Sequence, residues 1–254
     1  MKRSEPFSVL YIDDHLVALN KASGLLVAQD RWDPDVLRLD NLATERICTD
    51  GQRLYAVHRI DKDTSGLVIY ARTEEAHRTL SMAFQEREIH KSYHCLVHGR
   101  PAWDETEVSI PLRIDGDERH RTVRDRKGKE SVTLFRYIGP AGPYSWIEAQ
   151  PVTGRTHQIR VHLQLSGLSI ACDPLYGDGE PLYLSKIKRS WRGDSFEERP
   201  LLDRLALHAW KMKLNHPITG EALELCAPYP KDLDTTRKQL AKIFKTDPLG
   251  PLSE

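Results

Sequence analysis

The chain has 254 residues, with 37 Lys and Arg against 37 Asp and Glu, so its formal net charge is zero. That balance argues against a protein that grips polyanions by bulk charge. A hydrophobic share of 39% and a charged share of 29% exclude the disordered, collagenous and membrane-spanning classes. The length allows one large domain or two small ones with a sizeable core. No uncharged stretch approaches bilayer length, and Glu5 and Pro6 interrupt the basic start before any apolar run forms. A cytoplasmic protein is therefore expected. The four cysteines, Cys48, Cys95, Cys172 and Cys226, form no CxxC pair and are expected to be reduced and structural.

In chain order, β-branched and aromatic runs predict strands at Phe7 to Ile12, Leu16 to Asn20, Arg53 to Val57, Gly66 to Ala71, Tyr93 to Val97, Val132 to Ile138 and Ser145 to Val152. Helical patterns are fewer: Thr73 to Glu86 with an opening cap signal, Thr156 to Ser166, and Asp234 to Thr246. Strands with isolated helices and no strict βαβ alternation predict an α+β fold with a central mixed, largely antiparallel sheet flanked by helices and long loops. The polar stretches Arg113 to Glu130 and Ser185 to Arg204 predict surface loops or hairpins of a single catalytic domain.

The segment His58-Arg59-Ile60-Asp61-Lys62-Asp63-Thr64-Ser65-Gly66 is a polar connection pinned by apolar runs on both sides. Asp, Ser and Gly are turn formers, so a simple turn would account for the composition alone. The order of the nine residues goes further. It resembles the HRLDxxTSG loop of RluA-type pseudouridine synthases, with Ile60 in place of Leu. Four further elements follow the family in register. Asn20-Lys21-Ala22-Ser23-Gly24 resembles its NKPxG element, and Lys91-Ser92-Tyr93 its KxY element. Gly154-Arg155-Thr156-His157-Gln158-Ile159-Arg160-Val161-His162-Leu163 resembles GRxHQIRxHL, and Leu207-His208-Ala209 with His216-Pro217-Ile218-Thr219-Gly220 resembles its LHA and HPxTG signature. The resemblance covers about residues 7 to 229, leaving the predicted helix at about 234 to 246 beyond it.

The resemblance implies an RNA isomerase. A uridine already in RNA loses its N-glycosidic bond, the base rotates, and the same ribose is rejoined through carbon 5. No electrons are gained or lost, so no cofactor and no metal is expected. Asp61 is implied as the acting carboxylate, Arg160 as the cation that holds its charge, Tyr93 as the aromatic face for the flipped base, and Arg59 as the planar cation filling the space the base leaves. Reading Thr156 to Ser166 as a helix capped by Thr156 places His157, Arg160 and Gln164 on one polar face. Asp63, Lys91, His58 and His208 have plainer readings: a turn carboxylate, a solvated lysine or RNA contact, and two structural histidines. Ala22 replaces the family's Pro, which predicts a looser element lying away from the nucleophile.

Other chemistries fit less well. His90, His94 and His98 repeat every four residues, but in a strand such spacing is about 13 Å, too far to share an ion. His157 and His162 lack the Glu of a metalloprotease helix. A glycosidase needs two matched carboxylates, and Asp61 alone is offered. A non-catalytic RNA-binding module would not need Asp61. The expected partner is RNA, a tRNA or a 23S-type rRNA stem-loop, bound by a monomer without the family's optional amino-terminal S4-type domain.

The charges are also unevenly spread. Arg119 to Lys129 holds six basic residues and one acidic, or 6 − 1 = +5, and Lys186 to Arg192 holds four and none. Arg119, Arg121, Arg124, Arg126 and Lys127, with Lys186, Lys188, Arg189 and Lys91, are the candidate RNA contacts. Arg237 to Lys245 also carries four basic residues, with Lys238, Lys242 and Lys245 on one predicted helix face. Neutrality overall thus fits local basic loops on an otherwise acidic or neutral surface.

Overall fold

Two stretches with little polar interruption, Leu16–Lys21 and Ser65–Ala71, form strands buried on both faces, and the rest of their half of the chain assembles around them. The computed structural model describes residues 5–28, 37–49 and 51–250. The chain divides into two compact units, one running to Ser92 and again from His208 to Pro228, the other from Tyr93 to Leu207 and from Tyr229 on.

In the first unit, β1 (Phe7–Ile12) pairs antiparallel with β2 (Leu16–Lys21), and β2 with β4 (Ser65–Ala71). Short β3 (Tyr55–Ala56) also pairs with β4. The other edge of β4 takes a parallel partner, β11 (Leu207–Asn215), which pairs antiparallel with β12 (Ala222–Cys226). Helix α1 (Leu39–Ile47) enters after an isolated bridge between Leu26 and Arg38. Helix α2 (Glu74–Gln85) packs on β3 and β4. Its start follows the predicted cap, since Thr73 Oγ1 accepts the Ala76 N–H at 3.2 Å. Gly66 has φ +113° at the point where β4 meets β11, and a Cβ there would stand 2.2 Å from the Ala209 carbonyl oxygen. Only glycine permits this approach.

In the second unit, β5 (His90–His98), which crosses into it at Tyr93, pairs with β10 (Tyr144–Pro151), β10 with β9 (Val132–Ala141), and β9 with β6 (Glu105–Ser109), all antiparallel. Strands β7 (Leu112–Arg113) and β8 (Val123–Arg124) make a separate hairpin. Helices α3 (Gln158–Leu165) and α5 (Lys231–Phe244) pack on β9, and α4 (Leu184–Ile187) is a single turn.

All seven predicted strands and three predicted helices are present, and the α+β class with a mixed, largely antiparallel sheet holds. The sequence reading does not reach α1, α4, β6, β11 or β12. The polar stretch 113–130 is the β7–β8 hairpin, as expected. Two details differ. The cap of α3 is His157, in the left-handed region at φ 55°, and not Thr156. Helix α5 begins three residues earlier than its charge pattern suggests, after Pro230, and Asp232 in its first turn is gripped by Arg204 at 2.7 and 2.8 Å. Of the four free cysteines, Cys95 and Cys172 are buried, Cys48 is half-buried and Cys226 is exposed, so structural burial accounts for only two. No helix among the described residues is long and apolar enough to cross a membrane.

Candidate active site

The loop between β3 and β4 carries the first-unit candidates and is braced along its length. At its start, His58 Nε2 accepts the Ile69 N–H at 2.9 Å, extending the β3–β4 ladder by a side chain. The His58 ring stacks on Phe84 of α2, with centroids 4.7 Å apart and planes at 20°. Loss of water, aided by the charge of nearby Lys91, pulls the His58 pKa down to about 3. His58 is thus a neutral acceptor that braces the loop.

A pH dependence follows. Unfolded, His58 takes a proton near pH 6.5; folded, it does not until about pH 3. Between those values the unfolded chain holds the extra proton, so acidification costs stability, by at most about 1.4 kcal/mol per pH unit from this group. Urea unfolding of wild type and His58→Gln from pH 7 to 4 is expected to show a shallower acid loss in the variant. Parallel curves would rule out His58 as the titrating group.

Arg59 is exposed, Ile60 is buried and anchors the loop, and Asp61 is half-buried. The chain does not continue extended after Asp61. It turns at Lys62 and Asp63, with the Thr64 N–H donating to the Asp61 carbonyl at 3.1 Å. The turn reading of Asp63 fits, although the bond seen there is main-chain: its carbonyl accepts Ser23 Oγ–H at 2.7 Å.

The element at 20–24 was expected to be loose and distant from Asp61. It instead holds the turn directly. Buried Lys21 donates through Nζ to the carbonyls of Ala22, Leu25 and Lys62 at 3.0, 2.7 and 2.9 Å, and Gly24 N–H donates to Lys62 at 2.8 Å. A buried ammonium satisfied by three carbonyls explains how a lysine can stand buried at the end of a mostly apolar strand. Ala22 N–H donates to the Pro6 carbonyl at 2.9 Å, a bond that Pro at this position would not make.

The loop's far end is fixed by β11. Ser65 Oγ lies 2.9 Å from His208 Nδ1, and His208 Nε2 lies 3.0 Å from the Ala227 carbonyl. A carbonyl can only accept, so Nε2 carries the proton and Nδ1 accepts from Ser65. His208 is fully buried and structural, as its sequence context suggests. Lys91 is half-buried with its ammonium 6.0 Å from the Phe84 ring centroid, and desolvation lowers its pKa. No carboxylate pairs with it among the described residues.

Tyr93 and Arg160 belong to the second unit. Tyr93 is buried on β5 opposite Ala149. Arg160 is 2% exposed, and Asp173, at 0%, grips it through a fork, Nε to Oδ2 at 2.8 Å and Nη2 to Oδ1 at 2.7 Å. Burial alone would raise the Asp173 carboxyl, but the Arg160 bonds and charge, with the N–H groups of Leu175 and Tyr176, hold it below the usual carboxylate range. The guanidinium also lies over the Tyr176 ring, 5.1 Å from its centroid.

The polar face expected from His157, Arg160 and Gln164 is not what forms: Gln158, Arg160 and His162 are buried, and Gln164 is exposed. Gln158 Nε2 donates to the Val132 carbonyl and to Thr133 Oγ1, both at 2.9 Å. His162 bridges Thr133 Oγ1 at 2.9 Å and the Ile110 carbonyl at 3.2 Å. Neither polar side chain is left unsatisfied, which is what lets the helix sink into the unit. Asp173 and Lys21 escape the sequence reading. The signal for Asp173 is a single carboxylate in the apolar run from Leu168 to Tyr176, where burial demands a cationic partner.

Among the basic candidates, Arg121 is tied down by Asp117 at 2.7 Å and by the Leu175 carbonyl at 3.0 Å, while exposed Arg119 reaches the Pro174 carbonyl at 3.3 Å. Arg124, Arg126 and Lys127 are exposed with no ion pair among the described residues. Lys186 makes a long pair with Glu180 at 3.6 Å. Lys238 pairs with Asp234, and buried Arg237 pairs with Asp234 and Asp247, so two of the four basic residues of that run are neutralised in place. His90, His94 and His98 lie along β5, and no group of three His, Cys, Asp or Glu is gathered for a metal among the described residues.

Comparison with known proteins places the chain among similar sequences and folds. Residues 15–165 match the family model described as RNA pseudouridylate synthase. Ribosomal large subunit pseudouridine synthase D of Zymomonas mobilis is 34% identical over 242 residues, covering 92% of this chain and 73% of its own. Ribosomal large subunit pseudouridine synthase C of Vibrio vulnificus is 35% identical over 234 residues, covering 91% and 69%. Among solved structures, human RNA pseudouridylate synthase domain containing 4 has a TM-score of 0.68 at 25% identity, with 92% of each chain covered.

Proposed function

Because the chain belongs to the RNA pseudouridylate synthase family of isomerases, we propose that it isomerises one specific uridine in RNA, with Asp61 as the acting carboxylate. The observation that carries this reading is the bracing of residues 58–66. Main-chain and side-chain bonds from 21–24, Ile69 and His208 hold the loop, so the Asp61 backbone is fixed before any substrate arrives. Preorganisation of that kind is what a charge-stabilising or nucleophilic group requires.

In the reaction the N1–C1′ bond breaks, the uracil turns, and C5 bonds to C1′; C5 gives up its proton and N1 gains one. Asp61 would attack or stabilise the electron-poor carbon. A stacked uridine must first leave its helix, at about a few kcal/mol, and exposed Arg59 is the group proposed to fill the gap. We assign Arg160 to the support of the carboxylate and Tyr93 to the face of the flipped base. Lys91, Arg119, Arg124, Arg126, Lys127, Lys186, Lys188 and Arg189 are proposed phosphate contacts, whereas Arg121 is better spent on its own hairpin. The names of the relatives favour large-subunit rRNA over tRNA as substrate. A cytoplasmic monomer that needs no cofactor completes the proposal.

The test is chemical mapping of pseudouridine in total RNA from cells with and without the protein. One site in large-subunit rRNA or tRNA is expected to disappear in the deletion and return with the wild-type gene. An unchanged map, with purified protein inactive on unmodified transcripts, would overturn the assignment and favour a binding module.

A further inference from the structure

The segment between Leu182 and Leu202 is a closed loop with a built interior. Its neck is tied by a bridge in which Leu182 N–H donates to Leu202 at 2.7 Å and Leu201 N–H donates to Leu182 at 2.8 Å. Ser185 N–H donates to Glu198 Oε1 at 2.8 Å across the loop. The Trp191 indole folds over Gly193 so closely that a Cβ on residue 193 would meet Cζ2 at 2.5 Å. Asp194 then caps a turn, its Oδ1 accepting Phe196 N–H at 2.8 Å and its carbonyl accepting Glu197 N–H at 3.3 Å. At that turn Phe196 is 98% exposed, the one aromatic among the exposed large apolar residues of the described chain.

A single exposed aromatic ring is ordinary on a protein surface, but one held on a tied loop among basic side chains presents a free π-face on which a planar group can stack. The charges nearby narrow the choice. Lys188, Arg189 and Arg192 are exposed and have no carboxylate partner among the described residues; of the loop acids, Asp194 and Glu198 are used in its own turns and Glu197 is exposed beside Phe196, so the loop carries five basic residues against three acidic. One ring offers too little area for a protein interface, which buries about 800 Å² per partner. It is the unit that one nucleobase needs.

We propose that the Leu182–Leu202 loop is a stacking platform for an unpaired nucleotide of the RNA substrate, with the base on Phe196 and the flanking phosphates on Lys188, Arg189 and Arg192. This rests on the RNA substrate of the proposed function, and it adds a determinant: RNA that is single-stranded beside the target is favoured over continuous duplex.

The experiment measures binding of full-length protein to a labelled single-stranded 12-mer of uridine and to an RNA duplex of equal length, together with steady-state kinetics on unmodified rRNA and tRNA transcripts. Phe196→Ala is expected to weaken the single strand by about 5- to 100-fold, the range of one lost base stack, with duplex binding unchanged. Phe196→Trp restores it. Replacing Lys188, Arg189 and Arg192 together by Ala lowers the salt slope by about 2. On the unmodified transcript that serves as substrate, Phe196→Ala raises KM and leaves kcat near wild type. Unchanged single-strand affinity and KM in an active Phe196→Ala enzyme would overturn the platform and leave the proposed function standing. Phe196-dependent binding by a wild type that isomerises no transcript would keep the platform and remove the proposed function. Loss of binding to anionic phospholipid vesicles in Phe196→Ala, with the 12-mer unaffected, would assign the loop to membranes and overturn the proposal.

Discussion

An Asp61→Ala enzyme is expected to form pseudouridine at least about a thousandfold more slowly than wild type, the scale on which a nucleophile or charge-stabilising group acts in a preorganised site. The variant should remain folded. The turn at 61–64 uses the Asp61 carbonyl, which Ala keeps, and the braces at Lys21, His58 and Ser65 do not involve the carboxylate in the bonds seen there. RNA affinity should persist because phosphate contacts come from other residues. Asp61→Asn sharpens the measurement, since it keeps the shape and removes the charge. Turnover in either variant close to that of wild type would end Asp61's candidacy.

The second large effect concerns the buried fork between Arg160 and Asp173. Asp173→Ala leaves a guanidinium in a dry site without its carboxylate, and a loss of about 3–5 kcal/mol in urea unfolding is expected. The double variant Arg160→Met with Asp173→Leu removes both members of the fork and is expected to lose less stability than Asp173→Ala alone, because no buried guanidinium is left without that carboxylate. Activity should behave differently. If Arg160 supports the reacting carboxylate, the double variant is stable and still severely slowed. A stable and fully active double variant would show that the arginine serves only the fold.

What the sequence makes legible is unequal along the chain. Strands such as Val132–Ala141 announce themselves because β-branched and aromatic residues alternate between turn formers. The β11–β12 pair does not, because neither Leu207–Asn215 nor Ala222–Cys226 contains a β-branched residue; the place of β11 in the sheet is fixed by a parallel partner far back in the chain. Asp61, Arg59 and the loop around them are found through the order of nine residues, whereas the groups that brace them are not. Lys21 looks like a solvent-facing strand end until three carbonyls converge on it. Arg160 is singled out for a pairing with Asp61, whereas Asp173, the carboxylate seen gripping it, lies 13 residues on, beyond any helical or strand repeat, and only the fold brings these two together. His157, Arg160 and Gln164 share a helix face on paper, but the left-handed cap at His157 starts the helix late and changes which residues are buried.

The bond between Ser65 and His208 spans 143 positions, and the acceptor for His208's other nitrogen, Ala227, comes later still. A chain made from its amino terminus therefore exposes the Asp61 loop to the cell long before the strand that closes its far end has left the ribosome. Until then Ser65 lacks the His208 imidazole, and Gly66 is held by β2 on one side only, through its pairing with Lys21. The far end of the Asp61 loop is thereby completed only in the last part of synthesis, and a truncated chain lacking β11 keeps the sequence of the loop without the bond from Ser65 to His208.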